Sequence, residues 1–144
     1  IAALSQAGFV VAIASNQSGL ARGLFNRAAL RAMHRKLRRL VAAAGGRIGR
    51  IEVCPHGPDD GCSCRKPKPG LLYRLSRRLK LGLAGAPVIG DSLRDLEAAR
   101  AAGARPILVR TGNGRQTEAA LPGSLANVEV FDDLAAAADA LLKE

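Results

Sequence analysis

Apolar residues fall along the chain in short continuous runs separated by stretches of helical period. Phe9-Val-Val-Ala-Ile-Ala14 is such a run, of the kind a buried parallel strand shows. A polar loop follows from Ser15 to Gly23, and then a helix is predicted from its capping residue Asn26 to about Ala44. Leu30, Met33, Leu37, Leu40 and Val41 mark the buried stripe of that helix, with Arg31, Arg35, Arg38 and Arg39 on the wet side. Gly45-Gly46 stops it, and Ile48 to Cys54 reads as a second strand leading into a Pro/Gly/Asp/Cys-rich loop that ends at Pro69.

The second half repeats the alternation. A helix from Gly70 to about Leu81 is predicted to bury Leu72, Leu75 and Leu79 and to expose Arg74, Arg77 and Arg78. Strands follow at 87–90, 106–109 and 127–131, with helices at 92–102 and 132–143, the latter capped by Asp132 or Asp133. Strands alternating with helices define an α/β domain with a parallel sheet, whose ligands gather at the carboxyl ends of the strands. Polar motifs stand at four such positions: Ser15-Asn-Gln, Arg65-Lys66, Gly90-Asp-Ser and Arg110-Thr-Gly. Residues 1–8 read as the tail of a helix closing on Gly8, with no capping residue ahead of it, so a preceding segment is expected.

Composition narrows the chemistry. Of 144 residues, 48% are hydrophobic, enough for one domain with a real core and too many for a disordered chain. No apolar run approaches the ~18 residues of a membrane span, and no export signal opens the chain. Lys and Arg number 22 against 12 acids, a net charge of +10 that favours an anionic partner, either phosphorylated metabolites or nucleic acid. Phe9, Phe25, Phe131 and Tyr73 are the whole aromatic set, few platforms for stacking single-stranded bases.

All three cysteines lie within one loop beside a histidine: Cys54-Pro-His56 and Cys62-Ser-Cys64. Three thiolates and an imidazole satisfy tetrahedral zinc with no position left for water, so a closed structural site in a reducing, cytoplasmic compartment is expected. Asp59 and Asp60, in the turn between the two halves, read as solvated, and His34 as a helix-surface residue. The C-x-H-x5-C-x-C spacing is unlike the paired C-x2-C of zinc ribbons.

The strand ends read as a phosphate site. The Ser15 hydroxyl can donate to a phosphoryl oxygen, and Lys66 is a compact charge for the same group. Arg65 is a fork for a second anion. Asp91, directly after a strand, can hold a hard Mg²⁺ ion. Asp95, one turn later, suits either helix-dipole compensation or a functional role.

Taken together and in order, S-N-Q-S-G-L-A-R-G, C-P-H…C-S-C-R-K-P-K-P-G and G-D-S-L-R-D resemble the haloacid dehalogenase superfamily of phosphohydrolases. Within it they are similar to the branch of the heptose-1,7-bisphosphate 7-phosphatases and the histidinol-phosphate phosphatases. Ser18 and the L-A-R-G continuation lean to the heptose side, and Arg110-Thr-Gly112 agrees. The resemblance implies a single capless domain over residues 1–144, a three-layer, Rossmann-like parallel sheet with a zinc loop inserted at 54–69. It implies that Ser15 and Lys66 steady the transferring phosphoryl group and that Asn16, Gln17 and Ser18 touch substrate. Arg65 would recognise the sugar's other phosphate or hydroxyls, Asp91 would bind Mg²⁺, and Cys54, His56, Cys62 and Cys64 would bind Zn²⁺. The implied reaction is Mg²⁺-dependent release of the 7-phosphate of D-glycero-D-manno-heptose 1,7-bisphosphate through an aspartyl-phosphate. The implied partner is a phosphorylated sugar, with no nucleic acid or membrane, and the implied state is a monomer.

One family element is absent. The D-x-D-G-T motif, which carries the nucleophile, has no counterpart here, and no D-x-D occurs in the sequence. The strand bearing it belongs between those ending at Ser15 and Gly90, so residues 1–144 alone are expected to be inactive and poorly stable. Histidinol-phosphate phosphatase stays open as a second enzyme reading, and a basic zinc module on nucleic acid as a rival of another class.

Overall fold

Helix α1 (Ala2–Gln6) ends where Gly8 turns into the left-handed region, and the Phe9 N–H closes back on the Leu4 carbonyl at 3.0 Å. That closure takes Phe9 out of the predicted strand, and β1 runs Ala12–Asn16. Asn26 caps α2 (Arg27–Ala43), its Oδ1 accepting from the Ala29 N–H at 2.9 Å. Only Leu30 and Val41 of the predicted stripe are buried; Met33 and Leu40 are about half exposed. At about 100° per residue these two sit some 60–80° round the helix from Leu30, on one flank of the inward face.

β2 (Arg50–Cys54) pairs parallel with β1 in a register that sets Ser15 opposite Val53 and Asn16 opposite Cys54. The polar loop after β1 and the cysteine loop after β2 therefore leave the sheet side by side. Helix α3 (Gly70–Leu79) buries Leu71, Leu72 and Leu75; of its predicted face Leu79 is only half-buried, and Leu71 is gained because it is drawn against Cys54 and Cys64.

The chain then runs through β3 (Pro87–Gly90), α4 (Leu93–Ala101), β4 (Arg105–Val109), α5 (Gly114–Ala119), a 3₁₀ turn at Gly123–Leu125, β5 (Glu129–Phe131) and α6 (Leu134–Leu141). Asp133 caps α6 by accepting from the Ala136 N–H at 2.8 Å. In this computed structural model, which describes residues 1–144, every strand pair is parallel.

The strands form two sheets rather than one: β1-β2, and β3-β4-β5. The break falls between the ends at Ser15 and Gly90, where the family pattern placed it. Strands β1 and β3 are unpaired there, and a cavity of about 370 Å³ lies between them. Helices span the break on both faces. On one, Leu72 and Leu75 of α3 and Ala98 of α4 pack with Ala12 and Ala14 from β1 and Val88 from β3. On the other, Leu4 of α1 and Ala137, Ala138 and Leu141 of α6 cover Ile107 and Val109. The result is the three-layer arrangement, helices on either side of parallel strands. No helix is long and apolar enough to cross a membrane.

Candidate active site and metal clip

The cysteine loop folds back on itself so that the ligand atoms of Cys54, His56, Cys62 and Cys64 all lie within 4.8 Å of one another. A tetrahedral zinc with arms of about 2.3 Å to sulfur separates neighbouring sulfurs by roughly 3.8 Å. Here Cys54–Cys62 is 3.6 Å, Cys62–Cys64 3.7 Å and Cys54–Cys64 3.1 Å, while His56 Nδ1 lies 3.5 Å from Cys54 Sγ and 3.3 Å from Cys64 Sγ. The donor set and its spacing fit zinc, with all four corners supplied by the chain.

Burial, and then the Cys64 thiol beside it, pushes Cys54 up to about 12. Burial also opposes ionisation of Cys62, but N–H groups, first that of Arg65, and its two cysteine neighbours outweigh it and bring that thiol down to about 6. Crowded thiols of this kind ionise together only around a cation, whose charge relieves their repulsion. Between the two halves of the clip, Asp59 and Asp60 are both exposed, as expected, and Asp60 accepts from the Gly57 N–H at 2.7 Å.

Directly after Cys64 come the two cations. Arg65 donates from Nη1 to the His56 carbonyl at 3.2 Å, which ties its guanidinium to the clip. The Lys66 side chain is only 16% exposed. Its Nζ donates to the Ala14 carbonyl on β1 at 2.8 Å and lies 2.5 Å from Asp95 Oδ1. Two of its three N–H donors are thereby used and one is left.

Asp95 sits in the first turn of α4, as its helix-terminal reading expected, and has a second partner. It closes a capping box with Ser92 at the start of α4, taking the Ser92 N–H at 3.1 Å and its hydroxyl at 2.6 Å, and it pairs with Lys66. Burial alone would push its carboxyl up, but the Lys66 ammonium and the Ser92 bonds hold it below the usual carboxylate range. Gly90 leaves room for this: a Cβ there would collide with the Asp95 side chain.

At the end of β1, Gln17 Nε2 donates to Ser15 Oγ at 2.8 Å, and the Gln17 N–H donates to the Cys54 carbonyl at 2.7 Å. The Asn16 amide is turned toward Lys66, taking its N–H and giving to its carbonyl, each at 3.1 Å. Ser18 is half-buried, and its carbonyl takes the Arg22 N–H at 3.0 Å.

Asp91 stands apart from this web, at the end of β3. Its Oδ2 accepts from the Asn113 N–H at 3.0 Å, and its carbonyl takes the Thr117 hydroxyl at 3.0 Å. Gly112, at φ 60°, passes so close that any side chain would meet that carboxylate. Asn113 and Thr117 thus support Asp91 without having been singled out in the sequence; the glycines on either side of Asn113 were the only signal.

Arg110 belongs elsewhere. Its guanidinium makes two 2.7 Å bonds to Glu118 and one of 2.7 Å to Asp132. Hydrogen bonds to these carboxylates raise Arg110, and the Glu118 carboxyl is lowered in return. Of the four strand-end motifs, this one contributes a latch between α5 and the β5–α6 turn, not a charge to the site.

A parallel α/β domain with a half-buried lysine at its strand tips, a carboxylate after the next strand and a cysteine–histidine clip beside them is the framework of a HAD-type phosphohydrolase. Residues 63–137 match the HAD-hydrolase-like family model. The chain is 56% identical to the D-glycero-β-D-manno-heptose-1,7-bisphosphate 7-phosphatase of Pseudomonas aeruginosa, over 99% of its length and 79% of the relative's. It is 55% identical to the enzyme of that name from Bordetella bronchiseptica, over all of its length and 80% of the relative's. The crystal structure of D,D-heptose 1,7-bisphosphate phosphatase from B. bronchiseptica complexed with magnesium and phosphate superposes with a TM-score of 0.93, at 54% identity over 99% of this chain and 79% of that one. The chain belongs to the D-glycero-β-D-manno-heptose-1,7-bisphosphate 7-phosphatase family of HAD-like hydrolases.

Proposed function

We propose that the protein releases the 7-phosphate of D-glycero-D-manno-heptose 1,7-bisphosphate, with Mg²⁺ as cofactor and Zn²⁺ in the clip. The observation that carries this reading is the Lys66 ammonium, anchored at the strand tips with one donor left. Charge that spreads over phosphoryl oxygens during transfer is stabilised most by a cation already in place and shielded from water. The Ser15 hydroxyl offers a hydrogen bond to the same oxygens, and Gln17 orients that hydroxyl. Arg65, tied to the clip through His56, takes the sugar's second phosphate or its hydroxyls, and Gln17 and Ser18 meet the sugar.

Asp91 would hold Mg²⁺, oriented by the Asn113 N–H; a magnesium there supplies positive charge to the phosphoryl oxygens. The crystal of the B. bronchiseptica relative, with its magnesium and phosphate, supports magnesium as the cofactor. Three free thiols gathered in one clip suit a reducing compartment, and cytoplasmic placement is part of the proposal.

The test is turnover of the heptose bisphosphate and of histidinol phosphate by the enzyme expressed from its complete reading frame. The expected result is 7-phosphate release with kcat/KM at least about 10²-fold above that for histidinol phosphate, a ratio within reach of hydrogen-bonded recognition. Preference for histidinol phosphate, or no turnover of either, overturns the reading.

A further inference from the structure

We infer that Asn16 is a positioning residue for Lys66, stapling the lysine's backbone to the tip of β1 and acting on the phosphoryl site through that ammonium rather than by touching the sugar. The inference deepens the phosphatase reading above and rests on it.

Asn16 is the last residue of β1 and stands in register with Cys54, where the β1–β2 ladder ends. Beyond that point the lysine segment has no strand partner, and the Asn16 side chain supplies the bonds a strand would have made. Its Oδ1 accepts from the Lys66 N–H and its Nδ2 donates to the Lys66 carbonyl, both at 3.1 Å. The pair fixes the amide's orientation, since a flipped carboxamide would set donor against donor and acceptor against acceptor.

The other end of the same lysine is fastened to β1 as well, two residues back at the Ala14 carbonyl. Backbone and ammonium are therefore referenced to one strand, fifty positions away in sequence. The clip grips the flanking residues, Cys64 and Arg65 before the lysine and Lys68 after it, whose ammonium donates to the Cys62 carbonyl at 3.0 Å, but makes no hydrogen bond to Lys66 itself. Without the staple, the only hydrogen bonds Lys66 itself keeps are those of its ammonium, and misplacement by about 1 Å is enough to cost on the order of 10²-fold in rate.

The test is a double-mutant cycle on the enzyme from the complete reading frame, with the heptose bisphosphate as substrate. Asn16→Ala is expected to lower kcat by on the order of 10²-fold while KM moves less than about threefold, the pattern of a lost transition-state interaction. In a Lys66→Ala background the same substitution is expected to cost less than about threefold more, because the residue it acts through is gone. Losses that multiply in the double variant overturn the inference, as does an Asn16→Ala enzyme whose KM rises with kcat unchanged. If Lys66→Ala alone leaves kcat intact, the inference falls while turnover of the heptose bisphosphate stands; if the parent enzyme does not turn that substrate over, the phosphatase reading itself falls. Should Asn16→Ala fail to fold, the isosteric Asn16→Asp takes its place: it keeps the acceptor for the Lys66 N–H and sets an oxygen against the carbonyl. The same outcomes then decide.

Discussion

Strands β1 and β4 are each five residues long, and they end in opposite states. β4 opens with Arg105 and Pro106, yet Ile107, Leu108 and Val109 are 1%, 0% and 6% exposed. β1 reads Ala-Ile-Ala-Ser-Asn, and all five residues are only half-buried. The difference lies in neighbours. β4 has a strand on both sides and helices over both faces, whereas β1 has β2 on one side and the cavity on the other. A strand buries its side chains in proportion to what flanks it, and its own hydrophobicity comes second. β4 holds the domain together, and β1 presents a site: the carbonyl of Ala14 takes Lys66, and the side chain of Asn16 holds that lysine's backbone.

The largest perturbation of this contrast is expected from disrupting the cysteine–histidine clip, which begins at the end of β2 and has no counterpart at β4. Structural zinc in small sites is worth roughly 10–16 kcal/mol. Cys54→Ser with Cys64→Ser should abolish a stoichiometric zinc, read by elemental analysis, and raise hydrogen exchange across 12–16 well before 105–109. Equal protection of the two strands in the zinc-free protein would erase the distinction.

Next come single side chains. Leu108→Ala, at a fully buried position, should cost about 3 kcal/mol in denaturant unfolding, and Ile13→Ala on half-buried β1 about 1 kcal/mol. Equal costs would mean that β1 is packed as tightly as β4.

Asp95→Asn removes the charge that ties α4 to Lys66, and a loss of about 2 kcal/mol at neutral pH is expected, below the range for fully buried pairs. Its pH dependence has a definite sign. The folded carboxyl lies below its usual 3.8, so its contribution is complete above that value and is lost as pH falls through the lower folded one. Acid titration of stability should therefore be flatter in Asp95→Asn than in the parent; identical slopes would deny the pairing. The smallest effect is expected at the exposed latch: Glu118→Gln should shift the melting temperature by no more than about 2 °C, and the shift should vanish in 1 M salt.

The parts of the molecule legible in its sequence are those whose cause is local. Asn26 and Asp133 cap helices with their own side chains, Gly8 ends one by its backbone, and the clip's four ligands lie within eleven residues of one another. Where distant segments decide, reading failed or was incomplete. Nothing in the spacing of α2 shows that Met33 and Leu40 find no cover, because that depends on which elements lie over the helix. The short α5 has no apolar period to announce it. Arg110-Thr-Gly was read as one of four polar strand ends, and nothing local shows that two carboxylates from later in the chain pair with its arginine. For the same reason Asn16 could be placed at the site and not given its partner: both bonds run to a residue fifty positions on.

The central claim is that the ammonium fastened at the tip of β1 neutralises the departing phosphoryl group. The most direct measurement is the rate of 7-phosphate release from the heptose bisphosphate by Lys66→Ala, in protein whose metal content matches the parent's. The account predicts a fall in kcat/KM of about 10²–10³-fold, the size expected when a prearranged electrostatic partner is removed. A variant that works within about threefold of the parent would contradict it.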